Sequence, residues 1–163
     1  MKSIKLTALL VSFILFISSL LACIPPKDAA LSSLGKYKNY EFYTEGAFQD
    51  FTDYAKYYYD SVDFADNEYF SKIEQSDIDV LNEHLDDFES WIETYRKGDA
   101  SRELVVNYDF DRSLIDFDDY LYVDSEATTH TWDDGTTTTY LTNYDIYFFD
   151  TQTNTLYYFH NNI

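Results

Sequence analysis

The chain is predicted to be an α+β domain with helices first and an antiparallel meander after, and three features of its 163 residues carry that prediction. Ile78, Leu81, Leu85, Phe88, Ile92 and Tyr95 alternate steps of three and four, which is the spacing of one apolar helix face. After Asp99 the apolar period drops to two, as in strands with one face in a core. Thirteen phenylalanines and seventeen tyrosines stand against four glycines and two prolines, although the net charge is −19. Disordered acidic chains lack such aromatics. Residues 39–163 therefore read as a single acidic α+β domain, large enough to bury a core alone.

The first element precedes that domain. Lys2 and Lys5 lead into an apolar run from Leu6 to Ala22 that stops at Cys23, the single cysteine. A basic end, an apolar middle and a small residue before a cut form the plan of a secretory signal peptide, and the run is short of the ~20 apolar residues of a spanning helix. Pro25 and Pro26 cannot continue a helix, so the bond before Cys23 sits at a helix end within reach of a protease.

Leu20-Leu21-Ala22-Cys23 resembles the lipobox of bacterial lipoproteins. The resemblance covers the first 23 residues only. It implies that residues 1–22 are a signal peptide and that the Cys23 sulfur carries diacylglycerol, with palmitate as a typical chain. Cys23 then becomes the new N-terminus, and the protein is anchored to the cell membrane on its extracytoplasmic side. Two acyl chains hold firmly where one binds only marginally, and acylation removes the free thiol of a chain that cannot form an internal disulfide. An uncleaved anchor, or ordinary cleavage that frees the protein, would leave the remaining residues equally outside the cytoplasmic membrane.

Removing residues 1–22 takes two of the eleven basic residues and none of the thirty acidic ones, which leaves −21. A phosphate backbone would be repelled, so nucleic acid is excluded as a partner. An anionic bilayer repels the body too, which leaves the lipid to hold it. Residues 23–38 read as a flexible tether. The fifteen residues 24–38 reach at most about 50 Å.

From Ala47, the positions Phe48, Phe51, Ala55, Tyr58 and Val62 predict a helix, with Tyr54, Tyr57 and Tyr59 beside it. Those tyrosines read as cover for apolar surface with their hydroxyls in water, or as a sugar or peptide platform. After a break at Asp66-Asn67 and the apolar residues Tyr69, Phe70 and Ile73, Ser76 is the expected N-cap with Asp79 three residues on. The clearest helix runs from there to Gly98, with Arg96 and Lys97 suited to its negative end. Its outer face carries Glu83, Asp86, Asp87, Glu89 and Glu93, expected to be simply solvated.

Strands follow. Leu104, Val106, Tyr108 and Phe110 alternate with polar residues or Val105, and Phe117, Leu121 and Val123 alternate likewise. The segments 127–132 and 137–149 flank Asp133-Asp134-Gly135 as a hairpin, and 155–160 pairs back after a polar turn at 150–154. The expectation is two to three helices packed on four to five strands. By fold-level analogy this resembles cystatin-like or related cone-shaped domains.

Chemistry is sparse. His84, His130 and His160 show no pair at the four-residue spacing of a helical zinc site, and each reads as a surface or core-edge side chain. Asp109-Phe110-Asp111-Arg112-Ser113 begins like a calcium loop, but Leu114 stands where glycine is needed and Tyr120 where the bidentate glutamate belongs. No glycine-flanked serine elbow or phosphate-cradling loop is present. No catalytic, cofactor or metal residue is therefore assigned, and the only assigned site is lipid attachment at Cys23. The expected function is a non-enzymatic, lipid-anchored binding domain for a protein or glycan at the cell surface, with exposed tyrosines or an open sheet face as the contact. The alternatives are an inhibitor or immunity-type protein for a basic partner, and an envelope hydrolase using paired carboxylates.

Overall fold

The computed structural model describes residues 28–47 and 50–162. The signal peptide, Cys23, the first part of the expected tether and Phe48 lie outside the described residues. The class is α+β as expected. The elements are α1 (Ala29–Ser33), β1 (Asn39–Ala47), β2 (Asp50–Tyr58), β3 (Ser71–Lys72), α2 (Gln75–Gly98) and α3 (Glu103–Asn107). A 3-10 turn (Arg112–Leu114), β4 (Tyr120–Thr131), β5 (Thr137–Asp150) and β6 (Thr155–Asn162) complete the chain. One six-stranded sheet runs in the order β1-β2-β6-β5-β4-β3, and every neighbouring pair is antiparallel.

Three strands join those of the C-terminal meander: the two-residue β3, and β1 and β2, because the segment expected as the first helix is half of an N-terminal hairpin. Tyr54 opposes Tyr43 in β1 and Phe159 in β6, which puts it on one face, and Ala55 opposes Phe42 and Tyr158 on the other. Residues 52–57 are all buried. A strand buried on both faces shows no alternation, so its apolar residues happened to fit a three-and-four spacing. Gly46 makes the hairpin feasible. It takes φ of +140°, and a Cβ there would collide with the Asp50 carbonyl and come within 2.6 Å of the Phe51 Cα.

The long helix forms where its seam predicts it. Leu81, Leu85, Phe88 and Ile92 are buried against Tyr54, Ile146, Phe148 and Phe159 of the sheet. Each such side chain contributes about 1.5–3 kcal/mol by leaving water. The start differs from expectation: Glu74, not Ser76, is the N-cap, and its backbone N–H donates to Asp77 Oδ2 at 2.8 Å. Gly98 is the last helical residue, and the Asp99 N–H closes the final turn on the Tyr95 carbonyl at 2.8 Å. The strand expected over Leu104–Phe110 is instead the short helix α3 followed by an extended segment. Leu104 and Val105 both turn inward while Val106 is 65% exposed, a pattern that alternation does not allow. The packing of Leu104 in the main core overrides the strand preference of the valines. Phe117 likewise lies in the turn before β4 and is exposed.

The opposite face of the sheet is covered as well. Ala30, Leu31 and Leu34 of the segment expected to be tether pack with Tyr57, Tyr147, Phe149 and Tyr158. Residues 28–38 are thus part of the folded unit. Asp28 caps α1 by accepting the Leu31 N–H at 2.6 Å, and it also accepts the Tyr147 hydroxyl. Val62, Phe64, Tyr69 and Phe70 extend this second layer, with Phe64 stacked on Tyr120 at 3.8 Å between ring centroids. Tyr54, Tyr57 and Tyr59 are core residues, so they are neither a platform nor solvated cover.

Candidate functional site

Both faces of the central sheet are covered, and the layers diverge at one end of it. β6 ends opposite Asn143, whereas β4 and β5 continue to Thr131 and Thr137. Residues 127–142 of that hairpin form a two-stranded arm with, among the described residues, no third strand beside it. The arm begins at a register shift between Glu126 and Ala127, which bends it relative to the sheet. Its turn is closed by the Trp132 N–H on the Thr136 carbonyl at 2.8 Å, with Gly135 at φ +85° as the Asp133-Asp134-Gly135 sequence predicts.

A groove of about 680 Å³ lies between this arm and α2. That size is within the range of small-molecule sites. One wall is helical. Glu83, Asp87, Ser90, Trp91 and Thr94 recur at the spacings that place them on one side of α2, next to the buried seam. The other wall is Thr128, Thr139, Tyr140, Leu141 and Thr142 of the arm. Among the described residues, no lysine or arginine lines the groove.

The two carboxylates in the groove are held differently. Glu83 is exposed, while Asp87 is half-buried and its Oδ2 accepts the Tyr144 hydroxyl at 2.9 Å and the Asn161 side-chain N–H at 3.4 Å. Burial, and then the Asp87 charge, push the Tyr144 hydroxyl well above the usual phenol range, so it remains a donor. Asp87 is oriented as a fixed acceptor. Trp91 is half-buried beside Tyr95, with ring centroids 6.2 Å apart, and Tyr95 is covered by the Arg102 guanidinium at 5.3 Å. Tyr140 is 46% exposed on the facing wall.

The rest of the α2 acidic face is engaged, contrary to the expectation that it is only solvated. Asp86 and Glu89 each meet Arg112 at 2.8 Å, Glu89 also accepts the Tyr108 hydroxyl at 2.9 Å, and Glu93 pairs with Arg96. The Arg112 and Tyr108 contacts fasten the segment after α3 onto the helix. Lys56 does comparable work across the N-terminal hairpin, with its Nζ 2.9 Å from both Glu41 and Asp109, while Tyr58 and Tyr54 donate to the same two carboxylates.

The three histidines stay apart. His84 is buried in α2 with Nδ1 2.8 Å from the Val80 carbonyl, and His130 is at the arm tip against Trp132. His160 lies in β6 with Nδ1 2.9 Å from Asp145. Around Asp145 is a smaller cavity of about 190 Å³ on the α1 face, lined by Asp28, Asp124, Tyr69, Tyr122 and Tyr147. Burial pushes the Asp28 carboxyl up, whereas at Asp145 burial is outweighed by hydrogen bonds from His160 and Tyr158 that hold it below the usual range. This network docks α1. Asp109 and Asp111 of the failed calcium motif likewise serve the fold: Asp109 holds Lys56, and Asp111 accepts the Ser113 N–H at 2.8 Å.

The chain matches no family model, no curated protein and no solved structure. Among the described residues, no helix is long and apolar enough to cross a membrane.

Proposed function

We propose that the protein is a non-enzymatic, lipid-anchored binding domain, held on the extracytoplasmic side of the cell membrane through Cys23, with the groove between α2 and the β4–β5 arm as its ligand site. The anchor rests on Leu20-Leu21-Ala22-Cys23 behind a basic, then apolar, leader. The binding reading rests above all on one observation: two aromatic residues, Trp91 from the helix and Tyr140 from the arm, line one groove.

The hydrolase reading receives less support from the same groove. Its carboxylates are Glu83 and Asp87, and Asp87 Oδ2 is already committed to Tyr144 and Asn161. The inhibitor reading calls for a dense acidic patch free to meet a basic partner, and most acids of α2 are instead bound to Arg112, Tyr108, Arg96 or Tyr144. A cystatin-like or cone-shaped relationship belongs to the same proposal, supported by one long helix lying on one face of an antiparallel sheet, and it carries no ligand with it.

Two experiments test the two halves. In cells fed a palmitate analogue, Cys23→Ser is expected to abolish lipid labelling and precursor processing; unchanged processing and membrane partitioning would remove the anchor. Pull-down from intact membranes is expected to recover a ligand with the native chain and to lose it with Tyr140→Ala. Equal recovery by both would remove the groove.

A further inference from the structure

We infer that the groove takes a neutral carbohydrate chain, an inference that rests on the groove being the ligand site. The argument begins with what its two walls can offer a ligand. Ser90 on the helix and Thr128 on the arm present hydroxyls able to donate and to accept, Thr94 and Thr142 donate to the Ser90 and Glu126 carbonyls at 2.9 and 3.3 Å and so offer acceptors, and Thr139 shares a bond with Thr129 at 3.1 Å. A sugar hydroxyl needs both capacities at once, whereas a hydrocarbon needs neither and a cation needs only acceptors. Trp91 lines the helical wall and Tyr140 the arm wall, and an aromatic side chain at either gives the C–H face of a sugar ring a surface to stack on while its hydroxyls reach the polar groups nearby.

Charge narrows the class. Among the described residues no cation lines the groove, and Glu83 and Asp87 would repel a phosphate or uronate. An anionic polymer is therefore excluded by the same field that excludes nucleic acid. A cationic peptide would be attracted, but it would find its carboxylates on the helical wall alone. Glu83 is exposed and screened by water, and Asp87 gives one oxygen to two neutral donors. The arm wall has no acid at all among its lining residues. A neutral ligand rich in hydroxyls is the one class that gains partners from both walls.

The groove is open along its length, between a helix side and a hairpin, so it suits a segment of a longer chain better than a single small molecule. Asp87 is the expected orienting group. Its Oδ2 is fixed by Tyr144 and Asn161, which leaves Oδ1 aimed by the same two bonds and able to accept from a sugar hydroxyl without first being ordered.

The test is affinity electrophoresis and titration calorimetry on the full chain in non-ionic detergent. The probes are soluble glucan, mannan, galactan, xylan and N-acetylglucosamine oligomers, with polygalacturonate as the anionic arm and polylysine as the cationic arm. At least one neutral polymer is expected to retard the protein. Trp91→Ala and Tyr140→Ala are each expected to weaken that binding by about thirtyfold or more, as truncation of a central aromatic anchor does. Phe117→Ala, an exposed aromatic outside the groove, is the control for non-specific stacking. Polylysine is expected to retard the native, Trp91→Ala and Tyr140→Ala chains alike, through the thirty acidic residues of the chain as a whole, and to lose that effect in high salt. Thermal melts confirm that each variant is folded, and Tyr140→Ala, on the exposed arm, serves if Trp91→Ala is not.

Retention by polylysine alone, lost in both Trp91→Ala and Tyr140→Ala, would overturn the carbohydrate assignment and leave the groove standing. Neutral-polymer binding that survives both Trp91→Ala and Tyr140→Ala would overturn the groove itself. Binding to none of the neutral probes would overturn the carbohydrate assignment outright.

Discussion

Replacing Lys56 with methionine isolates the charge from the stem that carries it, because methionine keeps the apolar stem and removes the ammonium. The Lys56 Nζ lies 2.9 Å from Glu41 and 2.9 Å from Asp109, and its side chain is 11% exposed. Breaking a fully buried pair costs about 3–5 kcal/mol, and an exposed one about 0–1 kcal/mol. Here the cation is buried but its partners are 35% and 60% exposed, so water rehydrates the abandoned carboxylates. The expected cost is between the two limits, about 2 kcal/mol at pH 7. For a domain of this size that is a fall in Tm of about 8 °C, at roughly 4 °C per kcal/mol.

The pH dependence identifies the cause. Burial works to raise Asp109, but the Lys56 and Tyr54 hydrogen bonds hold it below the usual carboxylate range, and the Lys56 hydrogen bond, aided by Tyr58, does the same for Glu41 despite burial. Burial works to lower Lys56, and Asp109 and Glu41 overcome it and raise it. Carboxylates depressed in the folded state contribute stability that is present above their unfolded values, near pH 4, and lost as pH falls through the folded values. The raised lysine contributes below its unfolded value, near pH 10.4, and loses that contribution as pH rises through its folded value. The difference between native and Lys56→Met protein, measured by urea unfolding, should therefore be flat from about pH 5 to 10 and shrink below about pH 4. An equal difference at pH 3 and pH 7 would show that packing of the stem, not charge, holds the hairpin, and would refute the reasoning.

Gly46→Ala places a Cβ against the Asp50 carbonyl at a backbone angle that side chains rarely adopt, and it is expected to cost about 2 kcal/mol or more, read as a lower urea midpoint. Asp28→Ala removes the α1 cap and the acceptor for the Tyr147 hydroxyl, for a combined loss of about 2 kcal/mol, together with faster amide exchange over residues 29–34. Asp28→Asn keeps an acceptor. Because burial raises the native Asp28 carboxyl, its ionisation costs stability as pH rises from the unfolded value through the folded one, so the asparagine variant should gain on the native protein between pH 4 and pH 7. A pH-independent difference would contradict that assignment.

How much of this was legible in the sequence depended on how many faces each element buries. α2 was readable because it buries one seam, Leu81 to Ile92, and leaves the rest to water and ion pairs. β5 and β6 were readable because the turns that bound them carry Asp133-Asp134-Gly135 and Asp150, whose carboxylate accepts from Gln152 and Thr153 at 2.8 and 2.6 Å. β2 was misread because it is covered on both sides, by α2 and by α1, and so lost its alternation. α1 was missed because five residues with four small side chains carry no period at all; only Asp28 three before Leu31 marked it. Glu83, Asp87 and Trp91 were visible as a helix face, but their opposite wall lies some fifty residues further along the chain. One signal was available: the 137–149 run is longer than the 155–160 run that pairs with it, which requires an overhang.

The docking of α1 changes how far this molecule extends from its anchor. The first described residue, Asp28, caps α1 and stands five residues after Cys23, so under the proposed lipidation the chain between bilayer and body spans at most about 17 Å rather than about 50 Å. On so short a leash the body cannot sample many orientations, and the α1 end must be the underside. That end also holds Lys36, one of only nine positive side chains in the processed chain, beside Lys38, whose charge is shared with Asp60, and Lys36 would soften the repulsion between an anionic headgroup layer and a body of charge −21.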